Sequence, residues 1–207
     1  MFLTLNECYH IYNRGNNQQT IFFNQDNYLF FVKKLRTQIL PVADILAYCL
    51  MPNHFHLIIN ANENSIQERE SFGGKPMQEL AYRIGTLQSS YAQAINKQNK
   101  TTGSLFQQKT KAKILSEDIE GNKANYLDNC LLYVHYNPKK AGLVSDLSEW
   151  PFSSYFDYMG WRSGTLCNKD LLFQLTGKTS DSIRDWREPF FDGGRNQEAF
   201  LIRVQVA

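Results

Sequence analysis

Two short apolar runs, Ile45–Met51 and His54–Asn60, are separated only by Pro52-Asn53. This feature limits the fold most. Each run is too short for a stable helix and rich in branched and aromatic side chains, and a two-residue connection leaves antiparallel pairing as the way to join them. A β-hairpin at the centre of a sheet is expected.

The remaining elements follow from period and punctuation. Cys8–Asn13 reads as a first strand that stops at the turn cluster Arg14-Gly15-Asn16-Asn17. Asn24 or Asp26 can cap a helix carrying Leu29, Phe30, Val32, Leu35 and Ile39, which Pro41 ends. Glu63–Lys75 is polar and reads as a loop, and Pro76 opens a second helix with Leu80, Ile84, Leu87, Tyr91 and Ile95 on its apolar face, ending in the polar run 96–103. Lys109–Leu115 alternates basic with smaller or apolar residues and suits a strand with one solvated face. A third helix runs from about Asn122 to Tyr136, closed by Asn137-Pro138. Trp150-Pro151-Phe152-Ser153-Ser154-Tyr155 forms an aromatic packed segment. The order strand, helix, strand, strand, helix, strand predicts an α+β domain of ferredoxin-like type, a largely antiparallel sheet with helices packed on one face. Residues 1–158 form this domain, and 159–207 are an extension with short helices at Asn168–Leu175 and Asp181–Trp186 and a turn at Asp192–Asn196.

Composition narrows the class. The 207 residues are 43% hydrophobic and 14% aromatic, enough to build a core without metal or disulfide staples. Cys8, Cys49, Cys130 and Cys167 are far apart with no C-x-x-C pair, which fits a reducing compartment rather than a secreted disulfide framework or a structural zinc site. The start lacks a signal-peptide pattern and no run approaches a membrane span, so a cytoplasmic protein is expected. The net charge of +2 is mild, but 77–113 holds six basic residues against Glu79 alone, and Lys139-Lys140 follows the third helix. That concentration suits a phosphate backbone. A solvated basic face explains it equally.

Two of the four histidines form His54-Phe55-His56 inside an apolar strand. Alternation places both imidazoles on one face, where they can converge on one ion; two hydrogen-bonded histidines in a half-buried strand satisfy the same pattern. Tyr133 and Asn137, four apart on the third helix, share a face. A phenolate is a competent nucleophile for phosphorus, and an amide oxygen is a hard ligand suited to Mg²⁺ or Mn²⁺. A core tyrosine followed by an Asn-Pro helix stop is the plainer reading of that pair.

Four segments, 9–15 (YHIYNRG), 51–56 (MPNHFH), 133–144 (YVHYNPKKAGLV) and 150–155 (WPFSSY), together resemble the single-tyrosine HUH transposases. The nearest branch is the REP-associated tyrosine transposases, the insertion-sequence type. The resemblance covers about Cys8 to Tyr158. It implies a metal-dependent transposase that cleaves and rejoins single-stranded, hairpin-containing DNA, with His54, His56 and Asn137 binding a divalent ion, Mg²⁺ or Mn²⁺. Tyr133 would attack the scissile phosphate to give a 5′-phosphotyrosine and a free 3′-hydroxyl. Arg14, Lys109, Lys111, Lys113, Lys139 and Lys140 would contact the DNA, while His10, His135 and Tyr136 would be structural or support the ligands. The chain would act as a monomer or homodimer, without a membrane partner. The second helix and its preceding loop are long for this branch, and the chain beyond Gly160 has no counterpart in it, so target specificity does not carry over. A non-catalytic single-strand or hairpin DNA-binding protein derived from a transposase is the alternative. A metal hydrolase using activated water is a third reading, and it needs no tyrosine.

Overall fold

The computed structural model describes residues 1–70, 73–115 and 123–184. Strand β1 (Cys8–Arg14) pairs on one side with β3 (His54–Asn60) and on the other with β6 (Lys111–Ile114), and β3 pairs with β2 (Asp44–Met51). All three pairings are antiparallel and the order is β2-β3-β1-β6. The expected hairpin has Met51 opposite His54 across Pro52-Asn53. The α+β class and the antiparallel sheet therefore agree with the sequence pattern.

The helical cover is divided between both faces rather than confined to one. Helix α1 (Gln25–Lys34), continued by a π-helical turn at Leu35–Ile39, and helix α3 (Glu79–Asn99) cover one face, where Phe31, Leu35, Ile39, Leu87 and Tyr91 meet Ile11, Tyr48, Phe55, Leu57 and Ile59. Helix α4 (Lys123–Lys140) covers the other face, where Leu127, Cys130, Leu131 and Val134 meet Cys8, Leu46, Ala47, Cys49 and Ile58. The cause is visible in β2, whose residues from Ile45 to Met51 are all buried: a strand apolar on both sides needs cover on both.

Local chemistry explains the element ends. The Asn24 side chain accepts the Asn27 amide and starts α1 at 3.1 Å. Residues expected to form a plain loop instead hold a short helix, α2 (Glu63–Ile66), started by an Asn62–Ser65 capping box, and a two-stranded hairpin of β4 (Glu68–Glu70) and β5 (Pro76–Gln78). Pro76 thus begins a strand, a position that tolerates its missing N–H, and α3 starts three residues later. That helix ends at Asn99, within the polar run expected to end it, where Lys100 takes a left-handed φ of 55°. Asn137-Pro138 does not close α4. The helix continues to Lys140 and ends where Gly142 turns left-handed at φ 67°, with the Ala141 amide donating to the Asn137 carbonyl and the Leu143 amide to that of Pro138. The expected start of this helix at Asn122, the end of the last short helix at Trp186 and the turn at Asp192–Asn196 lie outside the described residues.

Residues 150–184 pack onto the sheet. The Leu50 amide donates to the Phe152 carbonyl, the Ser154 amide to Tyr48 and the Asn168 amide to Ile45, so this segment runs along the outer edge of β2. Tyr28 and Phe152 stack at 3.8 Å between centroids. Helix α5 (Tyr155–Tyr158), helix α6 (Lys169–Thr176) and helix α7 (Ser180–Arg184) follow, and Tyr158, Leu172 and Ile183 enter the core beneath α4. Arg162 fastens this region: its guanidinium forks onto the Asp157 carboxylate at 2.7 and 3.0 Å and also donates to Tyr48 Oη and the carbonyls of Pro151 and Ser153. Among the described residues no helix is long and apolar enough to cross a membrane.

Candidate active site

The sheet face beneath α4 carries the histidines. Tyr12 lies opposite His56 in the register, and His10, two residues earlier on the same face, stacks on Tyr12 at 4.8 Å and on His56 at 5.0 Å. His54 and His56 share this face through their spacing of two, with rings at right angles and centroids 4.9 Å apart. The His10 Nε2 to His56 Nδ1 distance is 2.8 Å, and His54 Nδ1 is 2.6 Å from Asn53 Oδ1. Each ring of the H-x-H pair is therefore held through Nδ1. His56 Nε2 is buried and has no hydrogen-bond partner.

Helix α4 brings Tyr133 over this face, its ring edge-on to His56 at 5.6 Å and to His10 at 6.0 Å. Asn137, one turn on, donates Nδ2 to the Tyr133 carbonyl at 2.8 Å. The helix is held in place by His135, whose Nε2 lies 2.7 Å from Ser154 Oγ in the segment along β2. Tyr133, Asn137, His54 and His56 all line one cleft of about 680 Å³, and Arg14, Lys109, Lys111 and Lys140 stand on its walls. Lys113 and Lys139 are not among the lining residues. Their ammonium groups stand over the rings of Tyr126 and Tyr136, at 5.6 and 6.0 Å.

Burial sets the protonation states. The His54 pKa is pushed down to about 4, by burial first and the Arg14 charge second. His56 is held well below its ordinary value by burial, with His10 and His54 adding to the effect. His10 falls to about 3, through burial and then the Lys113 charge. All three are neutral at physiological pH, the form in which imidazole ligates a metal. Burial raises the Tyr133 phenol to about 12 and the buried Cys130 thiol adds to the rise, while a hydrogen bond from Asn137 acts in the opposite sense.

The donor set suits a small hard cation. Among the described residues no three His, Cys, Asp or Glu gather at one point. Two neutral imidazoles and the Asn137 amide nonetheless line the same cleft, and the buried His56 Nε2 is left without a hydrogen-bond partner; nitrogen and amide-oxygen donors of this kind suit a hard divalent ion.

Several cleft residues lie outside the candidates drawn from sequence: Tyr12, Asn13, Gln18, Asn53 and Gln107. Tyr12 was accessible by the strand period, being two residues from His10. Asn13 was not, because its partners Gln88, Gln107 and Thr110 are 75 to 97 residues away.

This geometry frames the comparisons with known proteins. No family model matches the chain. A curated protein of Haemophilus influenzae, described as a REP-associated tyrosine transposase, is 26% identical over 121 residues. The chain is similar to the REP-associated tyrosine transposases. The match spans 54% of this chain and 58% of the relative's length, less than two thirds of it. A solved structure of a REP-associated tyrosine transposase bound to a REP hairpin shares the fold, with a TM-score of 0.54 and 18% identity over 82% of this chain and 87% of that one.

Proposed function

We propose that this chain is a DNA strand transferase acting on single-stranded, hairpin-containing DNA, with Tyr133 as nucleophile and His54, His56 and Asn137 as the ligands of Mg²⁺ or Mn²⁺. One observation carries the reading: a phenol, two neutral imidazoles and an amide converge in one cleft walled by Arg14, Lys109, Lys111 and Lys140. The similarity to a transposase, and to the fold of a protein bound to a REP hairpin, supports it.

The basic walls attract the phosphate backbone, and the aromatic rings of the cleft offer faces for unstacked bases. A cation bound by the three ligands would supply Lewis acidity to the scissile phosphate. Tyr133 Oη attacks phosphorus; the O–P bond forms as the P–O3′ bond breaks. The phenol gives up its proton, the departing 3′ oxygen takes one up, and the 5′ phosphate remains on Tyr133. Reversal with a different 3′-hydroxyl rejoins the strand. Because the phenol is neutral at rest, its deprotonation belongs to the chemical step rather than to the free protein. Lys140, whose ammonium lies 5.9 Å from the Tyr133 ring, places positive charge beside the developing phenolate.

The test is incubation with labelled single-stranded hairpin pools and Mn²⁺ or Mg²⁺, then denaturing electrophoresis and mapping of any adduct. A metal-dependent adduct on Tyr133, absent in Tyr133→Phe and His54→Ala, is the expected result. Tight binding with no adduct across broad pools would replace this reading with a DNA-binding module, and turnover that survives Tyr133→Phe would replace it with a water-using hydrolase.

A further inference from the structure

Asn53 occupies the second position of the connection between β2 and β3, and its side chain faces two groups. Nδ2 donates to the backbone carbonyl of Gln18 at 3.3 Å, and Oδ1 lies 2.6 Å from His54 Nδ1. A carbonyl carries no proton, so the NH₂ end of the amide must face Gln18 and its oxygen must face His54. The oxygen in turn accepts only from an N–H, which places the imidazole proton on Nδ1. A neutral imidazole has one such proton, so Nε2 is left as a lone pair on a ring that lines the cleft.

From this chain of contacts we infer that Asn53 is a positioning residue that locks His54 in the Nδ1–H tautomer and presents its Nε2 to a divalent cation, an assignment that rests on the metal reading above. The scaffold behind Asn53 is tied down on both sides. The Gly15 amide donates to the Asn53 carbonyl at 2.8 Å, and the amides of Ile21 and Phe22 both donate to Pro52, at 2.7 and 3.0 Å. The turn that presents the Gln18 carbonyl holds Asn17 and Gln18 at φ 51° and 59°, left-handed values that non-glycine residues adopt only where the surroundings impose them. A side chain at Gly15 would place its Cβ 2.2 Å from the Gln19 carbonyl oxygen, so the turn is closed as tightly as glycine permits.

His56 is held differently. Its Nδ1 partner is the His10 ring, and an imidazole nitrogen either donates or accepts. The proton between His10 and His56 can sit on either ring, whereas the amide of Asn53 is polar in one direction only. His54 is thus the preset ligand, and His56 acquires its tautomer from what binds at Nε2.

Long-range ¹H–¹⁵N spectra of the whole 207-residue chain, free of metal at neutral pH, read these tautomers directly, and Mn²⁺ titration reads the consequence. His54 is expected as Nδ1–H in the wild type. Asn53→Ala should admit the Nε2–H form and weaken Mn²⁺ binding by about 10- to 100-fold, the usual effect of losing a group that orients a metal ligand. Asn53→Asp, which still offers an acceptor oxygen, should restore the wild-type tautomer. An Nε2–H His54 in the wild type would overturn the assignment, and this reading needs no variant to fold. So would a folded Asn53→Ala protein that keeps both the tautomer and full Mn²⁺ affinity. If the tautomers follow Asn53 as stated while the wild type binds no Mn²⁺, the lock on His54 stands and the metal reading falls.

Discussion

His10 Nε2 and His56 Nδ1 stand 2.8 Å apart within a fully buried pair, and the two outer nitrogens of that pair, His10 Nδ1 and His56 Nε2, have no partner. Removing His10 strips His56 of its only side-chain anchor through Nδ1. His10→Ala is expected to cost about 1–3 kcal/mol in urea denaturation, and to weaken Mn²⁺ binding by about 10-fold or more even where the fold survives. Unchanged Mn²⁺ affinity in a folded His10→Ala protein would separate His10 from the ligand set.

Tyr133→Phe removes one oxygen from a buried ring and should change stability by less than about 1.5 kcal/mol. Single-strand binding, set by the walls of the cleft, should stay within about threefold of wild type, while the covalent adduct is lost altogether. Gel shift and denaturing electrophoresis on one preparation check both halves.

The cleft cations should act on the salt dependence of DNA binding. Lys109→Ala and Lys111→Ala should each lower the slope of log affinity against log salt by about 0.7, the value for one phosphate contact on a single strand. Lys139→Ala, whose ammonium stands over Tyr136 outside the cleft, should lower it less. Fluorescence anisotropy across a salt series distinguishes them.

Acid should unfold the metal-free protein early. Burial lowers the folded pKa of His10 and of His135 to about 3, and that of His54 to about 4, against an ordinary value near 6.5. Above that ordinary value both folded and unfolded chains hold these rings neutral and the full stability is present. As pH falls below it the unfolded chain takes up protons that the folded chain refuses, so stability declines progressively until the folded values are reached. Urea midpoints measured between about pH 7 and pH 4 should fall monotonically, and a flat profile would contradict the burial of these rings.

Arg162→Ala leaves the Asp157 carboxylate, 2% exposed, without its guanidinium. A loss of about 3 kcal/mol is expected, because the stranded charge is buried while its former partner was partly solvated. Thermal or urea unfolding measures it.

The legible part of the site is the part written in short periods. His54 and His56 are two apart on a strand, and Tyr133 and Asn137 are four apart on a helix, so each pair announces its shared face without reference to the rest of the chain. That His10 belongs beside them depends on how β1 registers against β3, which no local pattern encodes. The hairpin of β4 and β5 was hidden for a related reason: strands of three residues show too little alternation to separate from loop. Pro138 misled because proline is read as a stop, whereas here the last turn of α4 accommodates it and a left-handed glycine provides the real ending. The second covered face of the sheet was present in the unbroken apolar run of β2, but such a run does not say which helix will lie over it.

The two ends of the sheet are finished in opposite ways. Along β2 the backbone is taken up by the segment from Trp150 to Ser154, so no foreign strand can add there. At the other end β6 is four residues long and carries Lys111 and Lys113. Like charges brought face to face by a second copy of that strand would repel, while a polyanion laid along the same edge would be drawn in. A single choice of side chain thus discourages self-association through the sheet and leaves that edge better suited to an anionic chain than to a second copy of this one.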